Sequence, residues 1–193
     1  MTEDFFSLVP FDPTSKPAIT ITGRIVYEDN RLALYYTLCG DLNQILLPPP
    51  AAQPGRRQEL WKATCFEFFL ARKNQPSYWE FNLSPSGDWN VYRMDAYRRT
   101  GFREEGRISQ LQLETQKEKD AFTLATAVDL SPIVSTAENL EVSITAIVQT
   151  ADGTETYWAL THPGPQADFH LRQSFILELA GQTHRLNRPD PAD

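Results

Sequence analysis

Several residue types are scarce in this chain of 193 residues, and each scarcity excludes a class of function. Two cysteines cannot form a disulfide framework. The 18 basic residues are outnumbered by 25 acidic ones, and the net charge of −7 disfavours nucleic acid and anionic membranes as partners. No apolar run approaches the ~20 residues that span a bilayer. The first residues, MTEDFFSLVP, lack the basic segment of a secretory signal, so a cytoplasmic location is expected.

Short runs of β-branched and aromatic residues recur along the chain and are separated by turn residues. No segment has a sustained apolar period of 3.6, and a turn near residues 131–138 is the only helix expected. This pattern predicts one all-β domain over residues 1–186, a single-domain antiparallel β-sandwich of about 10–11 strands with an immunoglobulin-like or jelly-roll-like topology. A flexible tail over residues 187–193 is predicted. The strands are predicted at 18–27, 31–39, 41–47, 64–71, 77–83, 89–97, 107–116, 120–128, 140–149, 154–161 and 173–179.

Two long loops interrupt the strand pattern, at Pro48–Glu59 and His162–Arg172. Loops of this length in a compact domain are usually functional or disordered. Each loop adjoins an aromatic-rich strand, with Trp61 just after the first loop and Trp158 just before the second. These two tryptophans are the candidates for exposed aromatic plates, whereas the other two are expected to pack in the core.

The segment between residues 78 and 94 predicts a hairpin with one polar face. If residues 85–87 form a three-residue loop, side chains alternate between the two faces of the paired strands. One face is then apolar, and Trp79 on it lies opposite Arg93, within reach of a cation–π contact. The other face carries four polar side chains, which are Glu80, Asn82, Asn90 and Tyr92. A buried polar group without a hydrogen bond costs about 1–3 kcal/mol. This face is therefore either a binding surface or an internal hydrogen-bond network.

The preceding predicted strand also contains a polar residue, Glu67, among apolar ones. This residue shares a strand face with Cys65 and Phe69, and a lone carboxylate in that setting implies a partner. Arg93 and Arg98 are the candidates for a structural ion pair, and the hydroxyl groups of a ligand are the alternative. The sequence leaves both open.

Motifs of known enzymes are absent, so no catalytic residue is predicted. There is no serine elbow, CxxC, HExxH or phosphate-cradling glycine loop. Glu67 and Glu80 could mimic a glycosidase pair, but the sequence does not fix their separation. Asp88, Asn90 and Asp95 could offer oxygens to calcium, yet they form no known loop pattern, and no metal ligand is predicted.

Two motifs carry a resemblance to a known family. They are Leu60-Trp61-Lys62-x-Thr64-Cys65-Phe66-Glu67-x-Phe69 and Tyr78-Trp79-Glu80-Phe81-Asn82-Leu83-Ser84-Pro85-Ser86-Gly87-Asp88-Trp89. The chain resembles carbohydrate-binding module family 9 and the DOMON-like superfamily, in particular small stand-alone bacterial DOMON-like proteins. A closing motif, Tyr157-Trp158-Ala159-Leu160-Thr161-His162-Pro163, is also similar. The resemblance covers roughly Ile25 to Leu179 and implies a β-sandwich that binds sugars in some members and haem b in others.

The resemblance implies roles for particular residues. In sugar-binding members two tryptophans sandwich a terminal saccharide, and acidic, amide and arginine side chains bond its hydroxyls. Matching motifs places Trp61 and Glu67 as the first tryptophan and acid, Trp158 as the second tryptophan, and Arg93 as the basic partner. We therefore predict a non-catalytic module without a cofactor that binds a carbohydrate or other small polar ligand. The predicted ligand-binding residues are Trp61, Glu67, Glu80, Asn82, Asn90, Tyr92, Arg93 and Trp158.

Two alternatives stay open at this point. The first is a protein-interaction scaffold without a small ligand, whose partner is another protein or a second copy of the chain. The second, less favoured, is a haem b-binding DOMON domain that uses Met94 with His162 or His170 as axial ligands. The absence of a predicted signal peptide favours an intracellular sugar or glycoconjugate as the ligand.

Overall fold

The computed structural model describes residues 1–14, 17–97 and 102–181, and nearly all regular structure in them is antiparallel β. Three short 3-10 helices lie at Leu42–Gln44, Leu60–Lys62 and Arg172–Ser174. No helix in these ranges is long and apolar enough to cross a membrane. The twelve strands are β1 (Thr2–Pro10), β2 (Ile19–Glu28), β3 (Arg31–Gly40), β4 (Cys65–Arg72), β5 (Tyr78–Leu83), β6 (Trp89–Met94), β7 (Arg103–Glu104), β8 (Gln112–Lys117), β9 (Ala121–Asp129), β10 (Leu140–Gln149), β11 (Glu155–Ala159) and β12 (Leu177–Leu179).

The strands form one curled sheet that folds into two layers. The first layer has the order β8-β9-β3-β2-β1, and the second has the order β7-β6-β5-β4-β10-β11, with β12 also paired to β10. Strand β1 joins the layers, because residues 2–8 pair with β2 whereas Val9 and Pro10 pair with β11. This architecture confirms the predicted all-β sandwich.

The core lies between the two layers and is built from the inward-facing residues of both. The phenol hydroxyl of Tyr36 on β3 donates to the backbone carbonyl of Glu67 on β4 at 2.7 Å. The rings of Phe66 on β4 and Phe122 on β9 stack with 5.9 Å between their centroids. Alternation along β4 sends Phe66, Phe68 and Leu70 into this core, and therefore sends Glu67 and its neighbours to the outer face of the second layer.

The central hairpin has the predicted register. Asn82 lies opposite Asn90, and Glu80 lies opposite Tyr92. At its far end the guanidinium carbon of Arg93 is 5.9 Å from the centroid of the Trp79 ring, which confirms the expected cation–π contact. The hairpin therefore presents one apolar face to the core and one polar face outward.

Several strand predictions differ from the structure. Within the predicted strand at 41–47, residues 42–44 form a 3-10 helix, which Asp41 caps by accepting a hydrogen bond from the backbone N–H of Asn43. Only Ile45 pairs as a strand residue would, in an isolated bridge to Thr150. The predicted strand at 107–116 is shortened and shifted to Gln112–Lys117, and that at 173–179 begins only at Leu177. The first strand, Thr2–Pro10, was not predicted, since only Phe6 and Leu8 of its residues are buried.

The expected helical region at 131–138 is a series of turns. The predicted tail at 187–193, the candidate partner Arg98 and the third histidine, His184, lie outside the described residues.

Candidate functional site

A cavity of about 250 Å³ opens on the outer face of the second layer. Its floor is formed by side chains of β4, β5, β6, β10 and β11, and its walls come from the segments before β4, after β6 and after β11. The lining combines aromatic rings with two carboxyl groups. It consists of Trp61, Glu67, Phe69, Glu80, Tyr92, Met94, Phe102, Ile147, Tyr157, Ala167, Phe169 and His170. Four of the eight predicted site residues, Trp61, Glu67, Glu80 and Tyr92, therefore meet at one place.

Trp61 is the half-buried tryptophan of the cavity wall. It sits on the 3-10 helix Leu60–Lys62, which directly follows Glu59, a residue with a left-handed φ of 61°. The ring makes edge contacts with Tyr92 and Phe102, at centroid distances of 5.5 and 6.2 Å. These contacts fix the indole before any ligand arrives, which lowers the ordering cost of binding.

Glu67 is buried to 2 % exposure at the floor of the cavity. Its Oε2 accepts a hydrogen bond from the hydroxyl of Thr145, directly opposite on β10, at 3.3 Å. Its Oε1 is buried and has no hydrogen-bond partner among the described residues. Burial raises the pKa of Glu67 well above its ordinary value, and the negative charge of Glu80 raises it further. The Oε1 atom of this buried acid therefore has a hydrogen-bonding position that a group from outside the protein can fill.

Glu80 lies beside Glu67 on the neighbouring strand and is 7 % exposed. Its Oε1 accepts a hydrogen bond from the side-chain amide of Asn82 at 2.7 Å. Burial raises the pKa of Glu80 to about 7, although the Asn82 hydrogen bond acts in the opposite direction. Asn82 is itself fully buried and does not line the cavity, so its contribution is to orient Glu80.

Asn90 connects the hairpin to the first long loop. Its Oδ1 accepts a hydrogen bond from the guanidinium of Arg56 at 2.7 Å, and its Nδ2 donates to the backbone carbonyl of Arg57 at 2.8 Å and to the hydroxyl of Tyr92 at 2.9 Å. The guanidinium of Arg56 also lies 4.4 Å from the centroid of the Trp89 ring. Asn90 therefore holds the first long loop against β6 through these hydrogen bonds. Its side chain does not line the cavity.

Two predicted site residues lie on the other side of the sheet. The expectation that Trp158 is an exposed plate is wrong: the residue is 2 % exposed and packs in the core between the layers. Its indole N–H donates to the hydroxyl of Thr156 at 3.0 Å. Arg93 shares the parity of Trp79, so it points away from Glu67, and its Nε lies 3.8 Å from a carboxylate oxygen of Asp95. Of the two candidate ion-pair partners of Glu67, Arg93 is therefore excluded, and Arg98 lies outside the described residues.

Sequence reasoning did not assign Tyr157 or Phe169 to the site, and it considered His170 only as a haem ligand; all three line the cavity. Alternation along β11 puts Tyr157 on the outer face because Trp158 faces inward. Phe169 and His170 come from the second long loop, which folds back over β4, and their rings lie 6.4 and 5.3 Å from that of Phe69. Two sequence features could have pointed to these residues. Glu67 marks the outer face of the second layer, and the second long loop is long enough to fold over that face.

Only some of the candidate ligands for haem or a metal ion lie close together in the structure. Met94 and His170 both line the cavity, and the Nδ1 of His170 is 2.9 Å from the hydroxyl of Tyr78. The Nε2–H of His162 instead donates to the backbone carbonyl of Val9 at 3.0 Å. The two buried acids suit a flat apolar porphyrin poorly, so the residues do not fit haem. Within the described ranges, no group of three or more His, Cys, Asp or Glu could hold a metal ion.

Comparison with solved structures relates this geometry to known proteins. No protein-family model matches the chain, and no curated protein matches it in sequence. A "putative carbohydrate-binding protein" from Bacteroides uniformis aligns over 89 % of this chain and 84 % of its own, with a TM-score of 0.67 and 13 % identity.

Two structures of a family 9 carbohydrate-binding module from Caldicellulosiruptor kristjanssonii also align, at 14 % identity each. The glucose complex covers 91 % of this chain and 84 % of its own, with a TM-score of 0.53. The cellotriose complex covers 96 % and 87 %, with a TM-score of 0.55. The fold is that of a family 9 carbohydrate-binding module. The DOMON-like assignment stays a prediction.

Proposed function

We propose that the chain is a non-catalytic carbohydrate-binding module that holds one sugar ring in the outer-face cavity. The observation that carries this proposal is the meeting of Trp61 with Glu67 and Glu80 in a cavity whose other walls are mainly aromatic. A sugar ring has apolar C–H faces and a rim of hydroxyl groups. It therefore needs both a flat ring to lie against and fixed polar groups at its edge.

The size and shape of the cavity support this ligand class. Its volume of about 250 Å³ lies just below the roughly 300–1,000 Å³ typical of small-ligand pockets, which suits a single ring better than a chain. The unpaired Oε1 of Glu67 offers a hydroxyl group a buried hydrogen-bond partner. The likeness to modules solved with glucose and with cellotriose points to the same ligand class.

Titration calorimetry with glucose, cellotriose and other mono- and disaccharides tests the proposal. The wild-type protein should bind at least one sugar class, and Trp61→Ala should weaken that binding at least tenfold while its melting temperature stays close to that of the wild type. Phe5→Ala is the matched control, because Phe5 is a 78 % exposed aromatic residue on the other layer. Unchanged binding by Trp61→Ala would contradict this cavity as the sugar site. No binding to any sugar by a folded wild type would contradict the carbohydrate proposal as a whole and favour a protein-interaction scaffold.

A further inference from the structure

The charge of the cavity narrows the class of sugar that it can take. Its lining includes two carboxyl groups, Glu67 and Glu80, and among the described residues no lysine or arginine. The imidazole of His170 is the single basic group in the described lining, and its Nδ1 already contacts the hydroxyl of Tyr78. A ligand with a negative charge would meet two acids and no balancing cation.

The two acids lie close together because of the strand register. Glu67 pairs with Asn82 and Phe69 pairs with Glu80 across β4 and β5, so the two glutamates are diagonal neighbours on one sheet face. Diagonal neighbours on a sheet are about 7–8 Å apart at their Cα atoms, within reach of long side chains. One ligand group can therefore contact both carboxyl groups.

Among the described residues, each acid accepts one side-chain hydrogen bond, and neither donor is a cation. Glu67 accepts from Thr145 and Glu80 accepts from Asn82. The Oε1 of Glu67 is buried without any partner. Two neighbouring carboxylates in a poorly solvated site repel each other, and a positively charged donor placed between them removes that repulsion.

The aromatic walls favour the same kind of ligand. The rings of Trp61, Tyr92, Phe102, Tyr157 and Phe169 line the cavity, and the negative face of an aromatic ring attracts an ammonium group. A cavity with acids at its floor and rings at its walls thus suits a cation with an attached apolar surface.

We propose that the ligand is an amino sugar, whose ammonium group pairs with Glu67 and Glu80 while its ring lies against Trp61. This proposal rests on the carbohydrate-binding function proposed above. It assigns the acids to the charge of the ligand rather than to its hydroxyl groups alone.

Proton release should accompany binding. Burial raises the pKa of both acids, so the pair retains a proton in the empty cavity that an ammonium ion would displace. The other titratable groups near the pair are the phenols, the thiol and the imidazole of Tyr36, Cys65, Tyr92, Tyr157 and His170. An imidazole ordinarily titrates in the same pH range, so a His170→Gln variant separates the effect of this group from that of the acids.

The test compares glucosamine, N-acetylglucosamine and glucose by titration calorimetry on the full chain. At pH 7.0 glucosamine should bind at least tenfold more tightly than the two neutral sugars, because only its amine carries a charge. At pH 5.5 its affinity should fall about tenfold, since the acids are then largely protonated whereas the amine is protonated at both pH values. The neutral sugars should bind with nearly equal affinity at the two pH values.

Variants separate this proposal from the broader one. Glu80→Gln should remove most of the preference for glucosamine, measured as the ratio of its affinity to that of glucose in the same variant. Glu114→Gln on the exposed edge strand should change neither affinity. The pH dependence should persist in His170→Gln. If glucose binds as tightly as glucosamine, the amino-sugar proposal fails and the carbohydrate proposal stands. If no sugar binds, both fail.

Discussion

Replacing Glu80 with glutamine should stabilise the protein at alkaline pH and much less at acidic pH. The folded chain holds the pKa of Glu80 at about 7, whereas an unfolded glutamate titrates near 4.5. Below pH 4.5 both states are protonated, and the buried acid is neutral. As the pH rises from 4.5 through 7 the unfolded state loses its proton first, so the free energy of unfolding falls.

The size of this effect follows from the width of the pH window. A shift from 4.5 to about 7 corresponds to about 3 kcal/mol, which the wild type loses between pH 4.5 and pH 8 and Glu80→Gln does not. Glutamine keeps the oxygen that accepts the hydrogen bond from Asn82. The variant should therefore gain about 3 kcal/mol over the wild type at pH 8 relative to their difference at pH 4.5.

Urea unfolding followed by tryptophan fluorescence measures this difference. The wild-type curve alone is not decisive, because burial lowers the pKa of His162 and this group changes stability in the opposite direction with pH. Subtracting the wild type from the variant at each pH removes that contribution. Glu114→Gln, on the exposed strand β8, serves as the control. An equal effect of Glu80→Gln at pH 5 and pH 8 would refute the account of the buried acids.

Three further predictions concern the scaffold. Glu105→Gln should lower the free energy of unfolding by about 2 kcal/mol at pH 7, because the Glu105 carboxylate accepts hydrogen bonds from an indole and a guanidinium group. These contacts lower the pKa of Glu105 to about 2. The loss of stability caused by the mutation should therefore shrink between pH 4.5 and pH 2 in urea melts. Asn90→Ala should expose the first long loop to trypsin at Arg56, and an unchanged cleavage rate in limited proteolysis would argue against its fastening role. Gly23→Ala should cost about 2 kcal/mol, since a Cβ there would lie 2.0 Å from a backbone oxygen, whereas Gly55→Ala, with open space, should leave the melting temperature unchanged.

Strand parity explains which parts of the site could be predicted. The turn at residues 85–87 fixes the register of the hairpin, so the sequence alone predicted that Glu80 and Tyr92 share an outward face. The same reasoning applied to β4 placed Glu67 on the opposite side from Phe66 and Phe68. Short-range alternation therefore predicted most of the cavity floor.

The walls of the cavity and the expected ion-pair partner of Glu67 could not be predicted, because alternation along one strand does not show which other segments approach it. Trp158 was assigned by motif similarity and by its position just before the second long loop. A shift of one residue on a strand reverses the face, and the structure places Tyr157 rather than Trp158 in the cavity lining. Phe169 approaches Phe69 only because the second long loop folds back over β4. Long loops have no periodicity from which such a path could be derived.

The most direct test of the central claim is the response of the four tryptophan indole N–H signals in a two-dimensional nitrogen–proton NMR spectrum during titration with sugars. Trp61→Phe identifies the signal of the cavity tryptophan. The account predicts that this signal shifts saturably on addition of glucosamine, and more weakly with glucose, while the signal of the core residue Trp158 stays in place. A shift confined to Trp158, or no shift of any indole signal with any sugar, would contradict the outer-face cavity as a carbohydrate site.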